Sequence, residues 1–311
     1  MTRTVLVTGG AGFIGSHLTE ILVRQGQRVR ILDNLRRARL DLIDPFLSDG
    51  SAELIEGDIR YRRGVDRAMS GVHAVAHLAA TSINKSVADP AESIEIDLSG
   101  SDNVFSSAAD AGVERVVFAS SASVYGEPDR LPMSEDAPLR PQTPYCLSKL
   151  ASEHLLRFYG QKQELRWNVL RFFNVYGPGQ RSDAYYTAVV LTFLHRLRSG
   201  EPPIIDGDGE QTMDFVHVHD VARALALALE CDGTGHVCNI GTGTQTSVAE
   251  LARLLTEAVG TDTEPIFRPR DVIVTRRAAD IRRAAEVLGW QPHIGIKEGL
   301  AQVVDAELGR T

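Results

Sequence analysis

Residues 4–17, TVLVTGGAGFIGSH, constrain this fold more than any other stretch of the chain. Thr4 to Thr8 is a short β-branched run, Gly9, Gly12 and Gly15 follow it directly, and an amphipathic stretch over 15–24 succeeds them. Glycines at that spacing let the backbone turn sharply and approach a diphosphate with no Cβ in the way, while the next helix presents its first N–H groups to the phosphates. A lone glycine pattern also serves ordinary turns. Here a second strand at 28–32 leads into Asp33, about 20 residues on, where an acid accepts hydrogen bonds from the adenosine ribose of a dinucleotide. The charge of Asp33 repels a 2′-phosphate, so NAD is expected rather than NADP. Arg36 and Arg37 just beyond it offer compensation for a phosphate but read rather as a solvated loop, and Asp58 in EGDIR as an adenine contact or a helix cap.

Further apolar runs at 52–56, 74–78, 113–120 and 167–173 alternate with helical patterns at 99–111 and 148–159. Strands alternating with helices predict an α/β fold, a Rossmann doubly wound parallel sheet. After Val175 the chain turns rich in Gly, Pro and Asp, which predicts loops around short helices, with later helices at 246–259 and 279–288 and a strand leading into a helix over 216–229. The expected division is a dinucleotide-binding unit of residues 1–175 and about 214–240, and a smaller, discontinuous α/β substrate lobe of 176–213 and 241–311.

A chain of 311 residues with 43% apolar content can bury a large core. The net charge of −8 leaves no basic footprint, so neither nucleic acid nor an anionic membrane surface is an expected partner. Cys146, Cys231 and Cys238 have no metal-ligand spacing and read as reduced thiols. With no leader pattern at Met1 and no run of about 18 apolar residues, a soluble, cytoplasmic protein is expected.

Tyr145 and Lys149 stand one helical turn apart in YCLSK, so both face one side. A phenol is a poor base at its usual pKa of about 10, and a neighbouring ammonium is expected to lower that value towards neutrality. The segment SSASVYG, residues 120–126, ends a parallel strand, where such sheets place their sites.

Taken together, TGGAGFIG, HLAA at 77–80, SSASVYG, YCLSK, RFFNVYGPGQ at 171–180 and DFVHVHDVA at 214–222 resemble the extended short-chain dehydrogenase/reductase family, in its nucleotide-sugar epimerase/dehydratase branch. The likeness spans essentially the whole chain. It implies a catalytic set of Ser121, Tyr145 and Lys149. Tyr145 would take a proton from a sugar hydroxyl as hydride leaves for NAD, Ser121 would share that hydroxyl, and Lys149 would bind the nicotinamide ribose. It implies further cofactor contacts at Phe13, Ile14, Asn34, Arg36 and Ile59, at Leu78, Ala79 and Ala80, and at Ala119, Ser120 and Phe172.

Relatives that eliminate water carry an Asp–Glu pair just after the catalytic hydroxyl, and those that decarboxylate a uronate carry a Glu one position later. Ala122 and Ser123 stand there instead. The implied reaction is therefore 4-epimerisation of a UDP-sugar through a 4-keto intermediate, with tightly bound NAD regenerated each turnover. A net nucleotide-sugar reductase and a non-enzymatic NAD-sensing module are the alternatives.

For the sugar, the resemblance implies Ser82, Ser121, Ser123, Tyr145 and Asn174. For the nucleotide it implies Val189, Ile204, Asp206 and Met213, with Arg268 and Asp271 matching an Arg-x-x-Asp for diphosphate and ribose. Met213 stands where relatives have an arginine, Asp206 where many have an aromatic, and Asp97 where Asn is common. Arg181 matches relatives acting on UDP-glucuronate and offers a charge-assisted partner for a C6 carboxylate. UDP-glucuronate is thus the expected substrate, with UDP-glucose and UDP-N-acetylglucosamine as alternatives. His217 and His219 alternate along a predicted strand with no third ligand in sight, so no metal is expected. By analogy a homodimer is expected, packed through the helices at 99–111 and 148–159.

Overall fold

The computed structural model describes residues 3–180, 188–269 and 276–310. In chain order the first half runs β1 (Thr4–Thr8), α1 (Phe13–Arg24), β2 (Arg28–Asp33), α2 (Leu40–Ser48), β3 (Ala52–Glu56), α3 (Arg62–Met69), β4 (Ala74–His77), α4 (Ile83–Ala88) and α5 (Pro90–Ile94). A π-helical turn, Glu95–Gly100, leads into α6 (Ser101–Asp110), followed by β5 (Arg115–Ser121), α7 (Pro144–Gln163) and β6 (Arg166–Phe172). The second half adds β7 (Asn174–Tyr176), α8 (Ala188–Arg198), β8 (Ile204–Asp206), β9 (Thr212–Met213), β10 (Phe215–His217), α9 (Val218–Glu230) and β11 (His236–Ile240). It closes with β12 (Thr246–Ser247), α10 (Val248–Val259), β13 (Ile266–Arg268), α11 (Arg282–Leu288) and α12 (Ile296–Leu308).

Seven strands form one sheet in the order β11-β6-β5-β4-β1-β2-β3, every neighbouring pair parallel. Helices cover both faces, which is why β1, β4 and β5 are almost wholly buried and read as near-continuous apolar runs. One core joins the sheet to α1 and α9 through Leu18, Leu22, Val221 and Leu225, and the other joins it to α3, α6 and α7 through Val65, Phe105 and Leu156. A third cluster, with Leu194, Leu251 and Val303, holds α8, α10 and α12 together, within the stretches expected to form the substrate lobe. The order reverses between β1 and β4, and the carboxyl ends there form the crevice where open α/β sheets bind ligands.

The helical pattern at 148–159 is the middle of the longer α7, because Pro144 supplies a preset first turn and Thr143 caps it. The helix expected at 246–259 begins at Val248, after a two-residue strand capped by Ser247. That at 279–288 begins at Arg282, whose backbone N–H donates to the Asp280 carboxylate. His219 is not in a strand but in the first turn of α9.

Candidate active site

At Gly9, φ is +68°, and a Cβ there would meet the Ala79 backbone nitrogen at 2.8 Å. A Cβ on Gly15 would overlap the Gly9 carbonyl oxygen, so β1, the turn and α1 close up only with glycine. Gly12 sits at the N-cap of α1 with no side chain to cap it, which leaves the first N–H groups open to an anion. Asp33 is anchored by backbone donors, Ala11 N–H at 3.1 Å and Leu35 N–H at 2.9 Å. Burial raises its pKa above the usual carboxylate value against the pull of those two donors.

These groups open on a cavity of about 510 Å³ at the carboxyl ends of β1, β2, β4 and β5. Every residue expected to touch the cofactor lines it, from Gly9, Gly12, Phe13, Ile14 and Gly15, through Asp33, Asn34, Arg36, Asp58, Ile59, Leu78, Ala79 and Ala80, to Ala119, Ser120, Tyr145, Lys149 and Phe172. Ser82 also lines it. A glycine cradle at an uncapped helix N-terminus, an acid at the end of the second strand and a basic rim fit a dinucleotide.

At the end of the cavity lined by Asp33, Asp58 accepts from Arg60 at 2.9 Å and from Asn34 at 3.2 Å. Burial pushes its carboxyl up, but these bonds outweigh that and hold it at about 2. Arg36 is tied to Glu92 at 2.8 Å, and Lys85 reaches the same carboxylate at 2.8 Å.

At the other end, the Lys149 ammonium donates to the Ala119 carbonyl at 2.8 Å and lies 5.6 Å from the Tyr145 ring centre. Burial lowers Lys149 to about 8, against the opposing pull of Asp97 and Glu153. The Tyr145 phenol is raised, by burial first and then by Asp97, with the Ser121 hydroxyl pulling down. This corrects the expected lowering: the ammonium faces the ring and a carbonyl, and desolvation decides the sign. Ser121 and Ser123 stand just outside the cavity, the Ser123 hydroxyl donating to that of Ser121 at 2.8 Å.

Glu153, Arg171 and Tyr125, which the sequence reading passed over, support this end together with Ser120 and Asp97. Ser120 donates to Glu153 at 2.5 Å, and Glu153 is clasped by Arg171, whose guanidinium also reaches the Tyr125 hydroxyl at 2.9 Å. The signals were present: Glu153 continues the Tyr145, Lys149 spacing by one turn, and Arg171 interrupts an apolar strand. Asp97, 1% exposed in the π turn, accepts from the Thr81 N–H at 2.7 Å, the Thr81 hydroxyl at 2.5 Å and the Ser93 hydroxyl at 2.9 Å. That holds the turn next to Ser82.

The expected nucleotide contacts gather in the second lobe. β8 and β13 pair in parallel, placing Arg268 opposite Asp206 with their charges 3.7 Å apart. Met213 on β9 and Val189 on α8 pack against the lobe's core, and Ile204 opens β8. Asn174 donates its side-chain amide to the Asp214 carbonyl at 3.1 Å and does not line the cavity. Arg181 and Asp271 lie outside the described residues.

The fold and this cavity define an NAD-dependent enzyme of the extended short-chain dehydrogenase/reductase class. The chain belongs to the NAD dependent epimerase/dehydratase family, whose model matches residues 5–241. It is 39% identical over 307 residues, 97% of each chain, to a putative UDP-glucose 4-epimerase of Methanocaldococcus jannaschii. Among solved structures it is similar to UDP-glucose 4-epimerase of Thermotoga maritima with UDP-glucose, at 35% identity, 99% coverage of both chains and a TM-score of 0.91. It is also similar to MoeE5 in complex with UDP-glucuronic acid and NAD, at 37% identity, 99% coverage of this chain and all of that one, and a TM-score of 0.87.

Proposed function

We propose that this protein is a UDP-sugar 4-epimerase; NAD held in this cavity would supply reversible hydride chemistry at the sugar C4. One observation carries the reading: the cavity joins the glycine cradle to Tyr145 and Lys149, while the positions after Ser121 are Ala122 and Ser123, which supply no second acid or base. Reversible oxidation is the one reaction such a set performs unaided. Asp33 holds the adenosine ribose and the α1 N-terminus holds the diphosphate. Tyr145 takes the C4 hydroxyl proton and gives it back, Ser121 orients that hydroxyl, and Lys149 holds the nicotinamide ribose.

The cofactor-binding unit in this reading comprises residues 1–175 and about 214–240, and the nucleotide lies against the rest, near Val189, Ile204, Met213 and the Arg268–Asp206 pair. Met213 offers the diphosphate no charge, and we assign that role to Arg268, which stands opposite Asp206. We take UDP-glucose as the first substrate, because UDP-glucose 4-epimerases stand among both the sequence relatives and the solved structures this chain resembles. UDP-glucuronate is a second reading, favoured by Arg181 in the sequence and by the relative solved with UDP-glucuronic acid.

The test is to incubate the protein, without added NAD, with UDP-glucose, UDP-glucuronate and UDP-N-acetylglucosamine separately and to resolve the 4-epimers by chromatography. Formation of no 4-epimer from any of them, or a requirement for added NADH, defeats the epimerase reading. An Arg181→Ala variant that raises KM for the uronate far more than for a neutral hexose supports the second substrate; equal effects on the uronate and the hexose remove it.

Leu147 and Phe158 on α7 are about half exposed, and Val87 and Ile94 on α4 and α5 are similarly open. Such apolar residues on neighbouring helices suit a homodimer, tested by light scattering of the eluted protein. The three cysteines are free thiols, and no described helix is long and apolar enough to cross a membrane.

A further inference from the structure

We propose that His17, Glu20 and His219 form a binding site for a divalent transition-metal cation, Zn²⁺ by preference, separate from the sugar chemistry. One ligand atom from each lies within 4.8 Å of the other two. His17 and Glu20 are three residues apart and share a face of α1, and α9 packs along that helix with His219 in its first turn. The sequence left the His217, His219 pair without a third ligand because the missing donors lie some 200 positions earlier.

The details match a metal site. His17 is 8% exposed, and one ring nitrogen is bonded to the Pro178 carbonyl at 2.9 Å, the arrangement by which a ligating imidazole is oriented while its other nitrogen faces the ion. The His219 ring nitrogens have no hydrogen-bond partner among the described residues. The ring is nonetheless held, 4.7 Å from that of His17 and stacked parallel on that of His217 at 5.5 Å, with the His219 N–H donating to His217 Nδ1. Glu20 Oε1 pairs with the exposed Arg24 at 2.6 Å, which leaves its second oxygen for a metal. Two imidazoles and a carboxylate, with water in the fourth position, are a tetrahedral zinc set. Donors about 2.1 Å from such an ion stand about 3.4 Å apart, so roughly an ångström of side-chain rotation closes the site.

The ion would tie α1 to α9 and, through His17, to residues 178–180. Gln180 and Phe13, whose ring packs edge-on to His17 at 5.9 Å, both line the cofactor cavity. The predicted effect is therefore on rigidity and heat resistance of that wall, with no step of the sugar chemistry requiring the metal.

The experiment takes the NAD-loaded protein through chelating resin and titrates it with Zn²⁺ against a chromophoric chelator, following thermal unfolding in parallel. One equivalent per chain and a raised midpoint are expected. His219→Ala and the partly exposed Glu20→Gln are each expected to weaken binding at least tenfold, with bound NAD as the check on folding, while His195→Ala on α8 binds as the parent does. Absence of a stoichiometric equivalent in the parent, or unchanged binding in both His219→Ala and Glu20→Gln, overturns the site.

Discussion

Arg171 clasps Glu153 through two hydrogen bonds, at 3.0 and 2.7 Å, with side-chain exposures of only 4% and 7%. The pair pins α7 to β6 directly beneath Tyr145 and Lys149. Removing one partner of a buried pair strands the other charge, at a cost of about 3–5 kcal/mol. Glu153→Gln is thus expected to lose stability on that scale in urea unfolding, and to lose turnover more than KM as the helix carrying Tyr145 shifts. An unchanged unfolding midpoint would show that Arg171 finds another partner.

Tyr145→Phe removes one oxygen from a cavity otherwise intact. Turnover is expected to fall by about 10²–10⁴, the usual contribution of a positioned acid or base, while the purified protein keeps its bound NAD by absorbance. Activity near the parent value would mean that another group moves the proton.

His77 joins β4 to its surroundings through Thr8 Oγ1 at 2.7 Å and Ser101 Oγ at 2.9 Å. Burial, reinforced by the Lys149 charge, holds it at about 3. The folded protein therefore keeps the ring neutral while the unfolded chain takes up a proton below about 6.5, so this contribution is complete above 6.5 and is lost as pH falls towards 3. His217, lowered to about 4 by burial, adds in the same direction. A His77→Gln variant should show a shallower decline of unfolding free energy between pH 6 and 4 than the parent, by about 1.4 kcal/mol per pH unit for one group. Parallel curves would contradict a neutral, buried His77.

Arg36 lines the cavity three positions after Asp33 and is held by Glu92. Asp33→Ser alone should weaken NAD binding without admitting NADP. Adding Glu92→Gln should raise NADP affinity several-fold over the single variant, by fluorescence titration. Equal NADP affinity in both would show that the ion pair does not restrain Arg36.

The cofactor half was legible because its signals are local. A strand, its glycine turn and its closing acid lie within 30 residues, and the cavity gathers every residue they implied. The second lobe was less so, since its relationships are between distant segments: Asp206 meets Arg268 only because two three-residue strands pair. That pairing gives Asp206 a role that its departure from the usual aromatic concealed. The direction of the Tyr145 shift was missed for a different reason. Spacing tells which side chains share a helix face, but not how much water each has lost.

β11 is the edge strand beside β6, yet between them the chain runs out through α8 and β8 before returning along α9. During synthesis the β6 edge must wait, unpaired, until residue 240 has emerged, so the sheet and the outer lobe mature together. The lobe is therefore no detachable accessory: a truncation ahead of His236 leaves an apolar strand edge open to aggregation.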